Sequence, residues 1–460
     1  MLRRRFPLNF TSADLRFTAI ISDETSEAKG TKERMDALAM DQKQETVSYI
    51  KEGIFTVCKR FKNRSAGSKA ELACQHFFEH QLRAWADETR QDPYFLHPEA
   101  FYGWVTIASA LNLVCVALYW FYALIPSAIL PAAGVLLSLF CVSLFIFEFL
   151  LYREYIDFLF PRATSTNVYA RRSSNGTAKR RIVFVGHADT ACEFTYCLHG
   201  KGLVVSTVLF GSILGMFAVL CCSIAAVLES LLHGPFLMAG GWVAAGILQL
   251  CFVPFFIALL FFFDRNTVVD GANDNLSGSF VAMGILKELF DKDIRFEHTE
   301  VCCLITGGEE VGLRGASAFA ENYKKAAPQE IETIFVALDT LREEEHLRCY
   351  LKGINGTQQN SPAVGSLLYE AAKRNGIDLP EAQLYPGATD AEAFSRSGLM
   401  ACGLCAVNHD PQPYYHTRHD TYENIDINCI KKVLEICLDA VRLYDQHGIA
   451  FFAQKEQRQA

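Results

Sequence analysis

Four stretches of the chain, 103–125, 126–147, 202–228 and 235–263, are apolar throughout and carry no charged residue. A run of roughly 20 apolar residues is enough to cross a bilayer as a helix. A soluble helix of that length would show a polar stripe, and these show none. The pattern therefore predicts four transmembrane helices. They pair as two hairpins, joined by "IPSAILP" and "ESLLHGP", with Pro254 placed to kink the fourth.

Outside these runs the pattern changes to short strands and amphipathic helices. An amphipathic helical pattern runs from Thr46 to Trp85 and is broken by "KNRSAGSKAE". "NVYA", "RIVFVG", "TEVCCLITGG", "TIFVALDT" and "LMACGLCAV" read as strands. "SGSFVAMGILKELF", "EEVGLRGASAFAENY", "SPAVGSLLYEAAKRNG" and "NCIKKVLEICLDAVRLYDQHG" read as helices. Strands alternating with helices predict an α/β fold, a mixed sheet with a mostly parallel core and helices on both faces. The expected organisation is a polar, disordered leader over 1–41, within which Met35 is an alternative start. One α/β domain then occupies 42–102, 152–201 and 264–460, with the hairpins inserted at 103–151 and 202–263.

Composition sharpens this picture. An apolar fraction of 51% against 20% charged residues fits a membrane protein. The net charge of −8, with no basic stripe, excludes a nucleic-acid partner. Of the 16 cysteines, Cys115, Cys141, Cys221, Cys222 and Cys251 lie inside the apolar runs. The rest are odd in number, and the charged start "MLRRRFPLNF" leads into no apolar signal core. Reduced thiols are expected, on the cytosolic side, and "CGLC" reads as core cysteines of a buried strand.

The chemistry begins at "RIVFVGHADT". Side chains two apart on a strand share a face, so Asp189 can hold the second ring nitrogen of His187, as carboxylates do behind metal-bound imidazoles. Taken singly, the other candidates have bland readings. Asp274 in "DGANDNLSG" could be a helix N-cap. Glu309 and Glu310 in "TGGEE" could open a helix and complement its dipole. Together with Asp339, which ends "TIFVALDT", and His416 in "YYHTRHDTYENID", they all fall at strand ends or helix starts, where α/β folds place ligands. Two histidines and three carboxylates suit zinc, and a shared carboxylate can bridge two ions. Glu309, left over beside a ligand, is free to act as general base.

These runs, with "NVYARRSSNGTAKRRIVFVGHADT", "GANDNLSGSFVAMGILKEL", "TGGEEVGLRGASAF", "VALDT" and "PGATDAEAFSRSGLMA", resemble the co-catalytic two-zinc aminopeptidase family, whose relatives include glutamate carboxypeptidase and the glutaminyl cyclases. "KNRSAGSKAELACQHFFEHQL" is similar to that family's N-terminal entry. The resemblance implies two zinc ions per chain. His187 and Asp339 would hold one, Glu310 and His416 the other, and Asp274 would bridge them. Glu309 would be the base and Asp189 the partner of His187. His409 and His419 would stay outside the set. The apolar segments depart from the family. Removing 202–263 from the gap between His187 and Asp274 leaves about 25 residues, which one ordinary loop region covers. An even number of crossings is then required for the two residues to meet.

The expected function is a membrane-anchored zinc-dependent metallo-exopeptidase, an aminopeptidase hydrolysing peptide substrates. The alternatives are a glutaminyl cyclase-like acyltransferase, or an inactive binding or scaffold protein. The intact donor set and the absence of intramembrane charge pairs weigh against the last. Arg153, Arg162, Arg171, Arg172, Lys201 and Arg265 flank the segments on the catalytic side, and neither hairpin loop has Lys or Arg, which predicts a cytoplasmic catalytic domain. Sequons at Asn9, Asn63, Asn175, Asn275 and Asn355 point the other way. Short links on both sides of the second hairpin place the site near the bilayer.

Overall fold

The computed structural model describes residues 44–125, 127–199, 202–234, 240–326, 331–384, 387–408 and 414–459. The expected leader over 1–41, the tip of the second hairpin and His409 lie outside them. The chain divides into two units, 1–49 and 50–460. Residues 44–49 of the first are helical, and everything below concerns the second.

The strands are β1 (Glu88–Leu96), β2 (Ala163–Arg172), β3 (Arg180–His187), β4 (Cys192–Phe194), β5 (Phe263–Val268), β6 (Thr299–Thr306), β7 (Glu332–Leu341), β8 (Leu347–Gly353), β9 (Gln358–Gln359), β10 (Glu381–Gln383) and β11 (Met400–Ala406). Nine form one sheet in the order β1-β2-β6-β3-β7-β11-β8-β10, with β9 beside β8. The core β6-β3-β7-β11 is parallel, and β2 and β8 border it antiparallel. This is the expected α/β architecture, a mixed sheet around a parallel core. The core strands are buried on both faces and read as near-continuous apolar runs.

Alternate residues Val183 and Val185, Cys302 and Leu304, and Phe335 and Ala337 share one core with Phe319 and Phe394 from the helices Arg314–Ala326 and Asp390–Arg396. The helices Gly278–Asp291 and Ile427–His447 also pack on the core strands. The first of these comes so close to β3 that a Cβ at Gly186 would lie 2.6 Å from Ser279 N. All 16 cysteines are unpaired, and Cys402 and Cys405 are buried on β11.

The four apolar runs are helices: Ala100–Leu124, Ile129–Leu144 continuing through a wider turn to Leu150, Gly202–His233 and Gly241–Leu260. Each is long and apolar enough to cross a membrane. The fourth continues across Pro254. They pack in a ring, the first and third each against the second and fourth. Small residues allow close approaches between them, Gly211 to Phe255, Gly215 to Phe252 and Gly246 to Trp120. Large apolar side chains such as Phe210, Leu214 and Leu136 face outward. At the neck of the second hairpin, β4 and β5 pair antiparallel.

Candidate metal centre

The parallel register aligns the strand ends that carry the candidate residues. His187 lies level with Thr306 at the end of β6, and Asp339 with Cys405 on β11. His187 Nε2 is 3.3 Å from Asp274 Oδ1, 3.7 Å from Glu309 Oε2 and 3.9 Å from Asp339 Oδ1. His416 Nε2 is 3.1 Å from Asp274 Oδ2 and 3.4 Å from Glu310 Oε2. Asp274 thus offers one oxygen to each imidazole. Among the described residues three donor groups are compact enough to hold a cation: His187 with Asp274 and Glu310, and His187 with Glu309 and Asp339, both at this site, and the more exposed Glu343, Glu345 and His346. His419 is exposed.

Glu309 and Glu310 do not open a helix as the sequence pattern suggested. The helix starts at Arg314, and the glutamates sit in the turn before it. Left-handed backbone at Gly308, Gly312 and Leu313 bends the chain away from helical geometry. Every main-chain polar group of 307–310 has a partner. The N–H groups donate to Asn167 Oδ1 (3.2 Å), Glu71 Oε1 (3.2 Å), Asp189 Oδ1 (3.1 Å) and Asp189 Oδ2 (3.1 Å) in order. The carbonyls of Gly307, Gly308 and Glu309 accept from residues 312–315. That of Glu310 accepts from the Tyr102 hydroxyl at 2.8 Å. Tyr102 belongs to the first apolar helix.

Asp189 therefore does more than face His187. Its Oδ1 is 3.5 Å from His187 Nδ1, while its main-chain oxygen is 3.2 Å from the same nitrogen. The carboxylate itself clamps the glutamate turn. Asp420 does the same for Asp274, accepting from Asn273 N, Asn273 Nδ2 and Asp274 N at 2.9, 2.7 and 3.1 Å. The Asp274–Asn275 peptide is cis. His416 is held from the neck of the second hairpin. Phe194 N donates to its carbonyl at 2.8 Å, the Phe194 ring meets the imidazole edge-on at 4.4 Å, and Glu193 binds Arg418 through both oxygens. Tyr415 stacks on His416 at 4.2 Å.

Asn167, Glu71 and Asp420 were not singled out in the sequence. Glu71 had a signal, since "SKAE" is a capping box. Ser68 does cap Glu71 N, but Glu71 also reaches across to Ser165 and Gly308. Asp420, four residues past His416, had only its place in "YYHTRHDTYENID".

The electrostatics call for a cation. Burial lifts Glu309 and Glu310 well above the carboxylate range, and neighbouring acids add to it. Burial and Asp274 push Asp339 up to about 8. Burial also raises Asp274, but the two imidazoles beside it, His187 and His416, outweigh it and hold it low. Burial lowers His187, and Glu309 with Asp189 and Asp274 more than reverses that. So many acids cannot ionise together at one buried point without positive charge among them. His187 Nε2 and Glu310 Oε1 are buried without a hydrogen-bond partner, which leaves both atoms free to bind a cation. Imidazole and carboxylate donors fit a zinc-like cation.

Residues 260–441 match the model of Peptidase family M28. A curated protein of Acetivibrio thermocellus named "Putative aminopeptidase" is 30% identical over 177 residues, which are 37% of this chain and 50% of that protein. The chain thus spans about half the length of the curated relative it matches. Two solved structures share the fold at TM-score 0.51. The aminopeptidase from Aneurinibacillus sp. strain AM-1 is 14% identical, with 86% of this chain and 93% of that one covered. The glutaminyl cyclase of an Acidobacteriales bacterium is 13% identical, with 88% and 96% covered. The family match begins at the end of the second hairpin and takes in every candidate donor except His187, which the hairpin separates from the rest.

Proposed function

We propose that the protein is a zinc-dependent aminopeptidase held in a membrane by its two helical hairpins. The observation that carries the reading is the position of Asp274 between His187 and His416, with Glu310 and Asp339 completing two donor groups. His187 and Asp339 would hold one ion, Glu310 and His416 the other, and Asp274 both. Zinc bound there supplies Lewis acidity towards water and the peptide carbonyl. Glu309 is the proton carrier. Its carboxylate takes a proton from the attacking water and returns it to the leaving amine. Asp189 and Glu71 fix the turn that aims it, and Asp420 orients Asp274.

The Tyr102 hydrogen bond supports a site at the membrane surface, where apolar or membrane-derived peptides partition. The flanking Arg153, Arg162 and Arg265 support a cytoplasmic catalytic side. Two of the opposing sequons lose force. Asn275 is buried, and Asn355 spends its amide nitrogen on Phe149 O at 2.7 Å.

The experiment is to incubate the purified full chain with peptides whose amino termini are free or blocked, and to count zinc in the same preparation. Release of the first residue from free peptides alone, with two zinc ions per chain, is the expected result. Cyclisation of an amino-terminal glutamine with no release would favour the cyclase chemistry and overturn the proposal.

A further inference from the structure

The segment between the end of the second apolar helix and β2, residues 151–162, folds back along the helical bundle. Glu148 Oε1, inside the helix end, accepts the N–H groups of Tyr155 and Ile156 at 2.9 and 2.8 Å and sets the reversal. Ile156 is buried among Ala108, Cys141, Leu144 and Met216, which come from the first three apolar helices. Ala108 lies eight residues into its helix, about 12 Å from the end at 1.5 Å per residue. The Tyr155 ring lies 4.9 Å from Phe147 and 6.5 Å from Phe140 on the flank of the second helix. Asp157 turns inward, 3.1 Å from Arg314 at the start of the helix that follows the glutamate turn.

The next two side chains turn the other way. Phe158 is 77% exposed and Leu159 56%, on a single helical turn at the level of the apolar helices. Phe95, 64% exposed, stands on β1 beside the start of β2, capped by the Arg162 guanidinium at 4.1 Å. His97 Nδ1 bonds Phe160 O and the Phe160 ring packs against Gly103, so this segment is fastened to the start of the first apolar helix. Arg153 and Arg162 flank the exposed pair. A folded domain rarely leaves such an apolar patch to water, and cations around an apolar face buried a few ångströms deep are the mark of an interfacial segment.

We propose that Phe158, Leu159 and Phe95 form a wedge that enters the bilayer interface beside the helical bundle and fixes the depth at which the catalytic domain sits. The occupant is lipid, because the patch continues the lipid-facing surface of the bundle. The proposal rests on the reading of the four apolar helices as membrane spans.

The test is tryptophan quenching. The full chain is reconstituted in phosphatidylcholine vesicles whose acyl chains are brominated near the headgroup end. Phe158→Trp and Leu159→Trp place the probe in the wedge. Phe290→Trp, on an exposed position at the far end of the helix Gly278–Asp291, is the control. Trp120 and Trp242, in the first and fourth apolar helices, report insertion of the bundle itself. The expected result is that each wedge tryptophan emits to the blue and loses more than half its emission to bromine, while the control does neither. Quenching of the parent protein with an unquenched wedge overturns the proposal and leaves the spans standing. A blue-shifted but unquenched wedge overturns it in favour of a protein contact. An unquenched parent removes the spans and the wedge together.

Discussion

Asp189→Ala should damage both halves of the centre through one turn. The carboxylate accepts the N–H groups of Glu309 and Glu310 at 3.1 Å each, and it is fully buried. Alanine leaves two buried donors without partners, at about 1–3 kcal/mol each. The turn can recover part of that only by moving, and it carries both the proposed base and a proposed ligand. Removing a group that supports metal ligands typically costs about 10–100-fold in affinity or activity. His187 keeps its main-chain acceptor at 3.2 Å, so metal binding should suffer less than turnover. The assay measures zinc per chain after dialysis, the thermal midpoint, and kcat on an aminoacyl anilide, for the parent, Asp189→Ala and Asp189→Asn. The asparagine variant retains one acceptor oxygen and should fall between. Full zinc, an unchanged midpoint and a kcat within twofold of the parent in the alanine variant would show that the turn is held by other means.

Three further outcomes follow from the same geometry. Glu309→Gln should retain metal and lose about 10²–10⁴-fold in kcat; near-normal turnover would remove Glu309 from proton transfer. Asp274→Asn should lower zinc content itself, because both imidazoles share that carboxylate; two tightly held ions in this variant would contradict the bridge. Tyr102→Phe removes the acceptor's partner at Glu310 O, a bond worth about 0.5–1.5 kcal/mol, and should reduce kcat several-fold with the fold intact; unchanged kinetics would mean that the first apolar helix does not steady the site.

The strands and their parallel core were legible because β3, β6, β7 and β11 are long apolar runs, and the candidates His187, Glu309, Glu310 and Asp339 drew notice because they stand near the ends of such runs. β1, β8 and β10 were not read, since "ETRQDPYFL" and "LRCYLKG" alternate weakly and take their shape from the neighbouring strand. The helix expected from Glu309 starts at Arg314 instead, because side chains from three distant elements compete for the first N–H groups. No local pattern can report partners such as Asn167 and Asp189 that arrive from elsewhere in the fold. Glu71 shows the same limit from the other side. Its main-chain N–H is capped by Ser68 as the local pattern suggests, and that pattern hides the bond to Gly308 that matters for the site.

The apolar helices are wired to the centre at two separate places. Tyr102, in the first helix, binds the main chain of Glu310. Phe194, at the neck of the second hairpin, binds the main chain of His416 and packs on its ring. Glu310 and His416 are the two residues assigned to one ion, 3.4 Å apart at their nearest donor atoms. Tyr102 also meets Phe263 on β5 at 4.8 Å and Phe194 on β4 at 6.4 Å, so the two roots touch each other beneath that pair. A tether alone would need only a flexible link, and a flexible link would leave both ligands indifferent to the bundle. Rigid contacts from each hairpin to one member of the pair make the packing of the bundle part of what sets the Glu310–His416 separation. The hairpins are on this account a structural wall of the candidate centre as well as its proposed anchor.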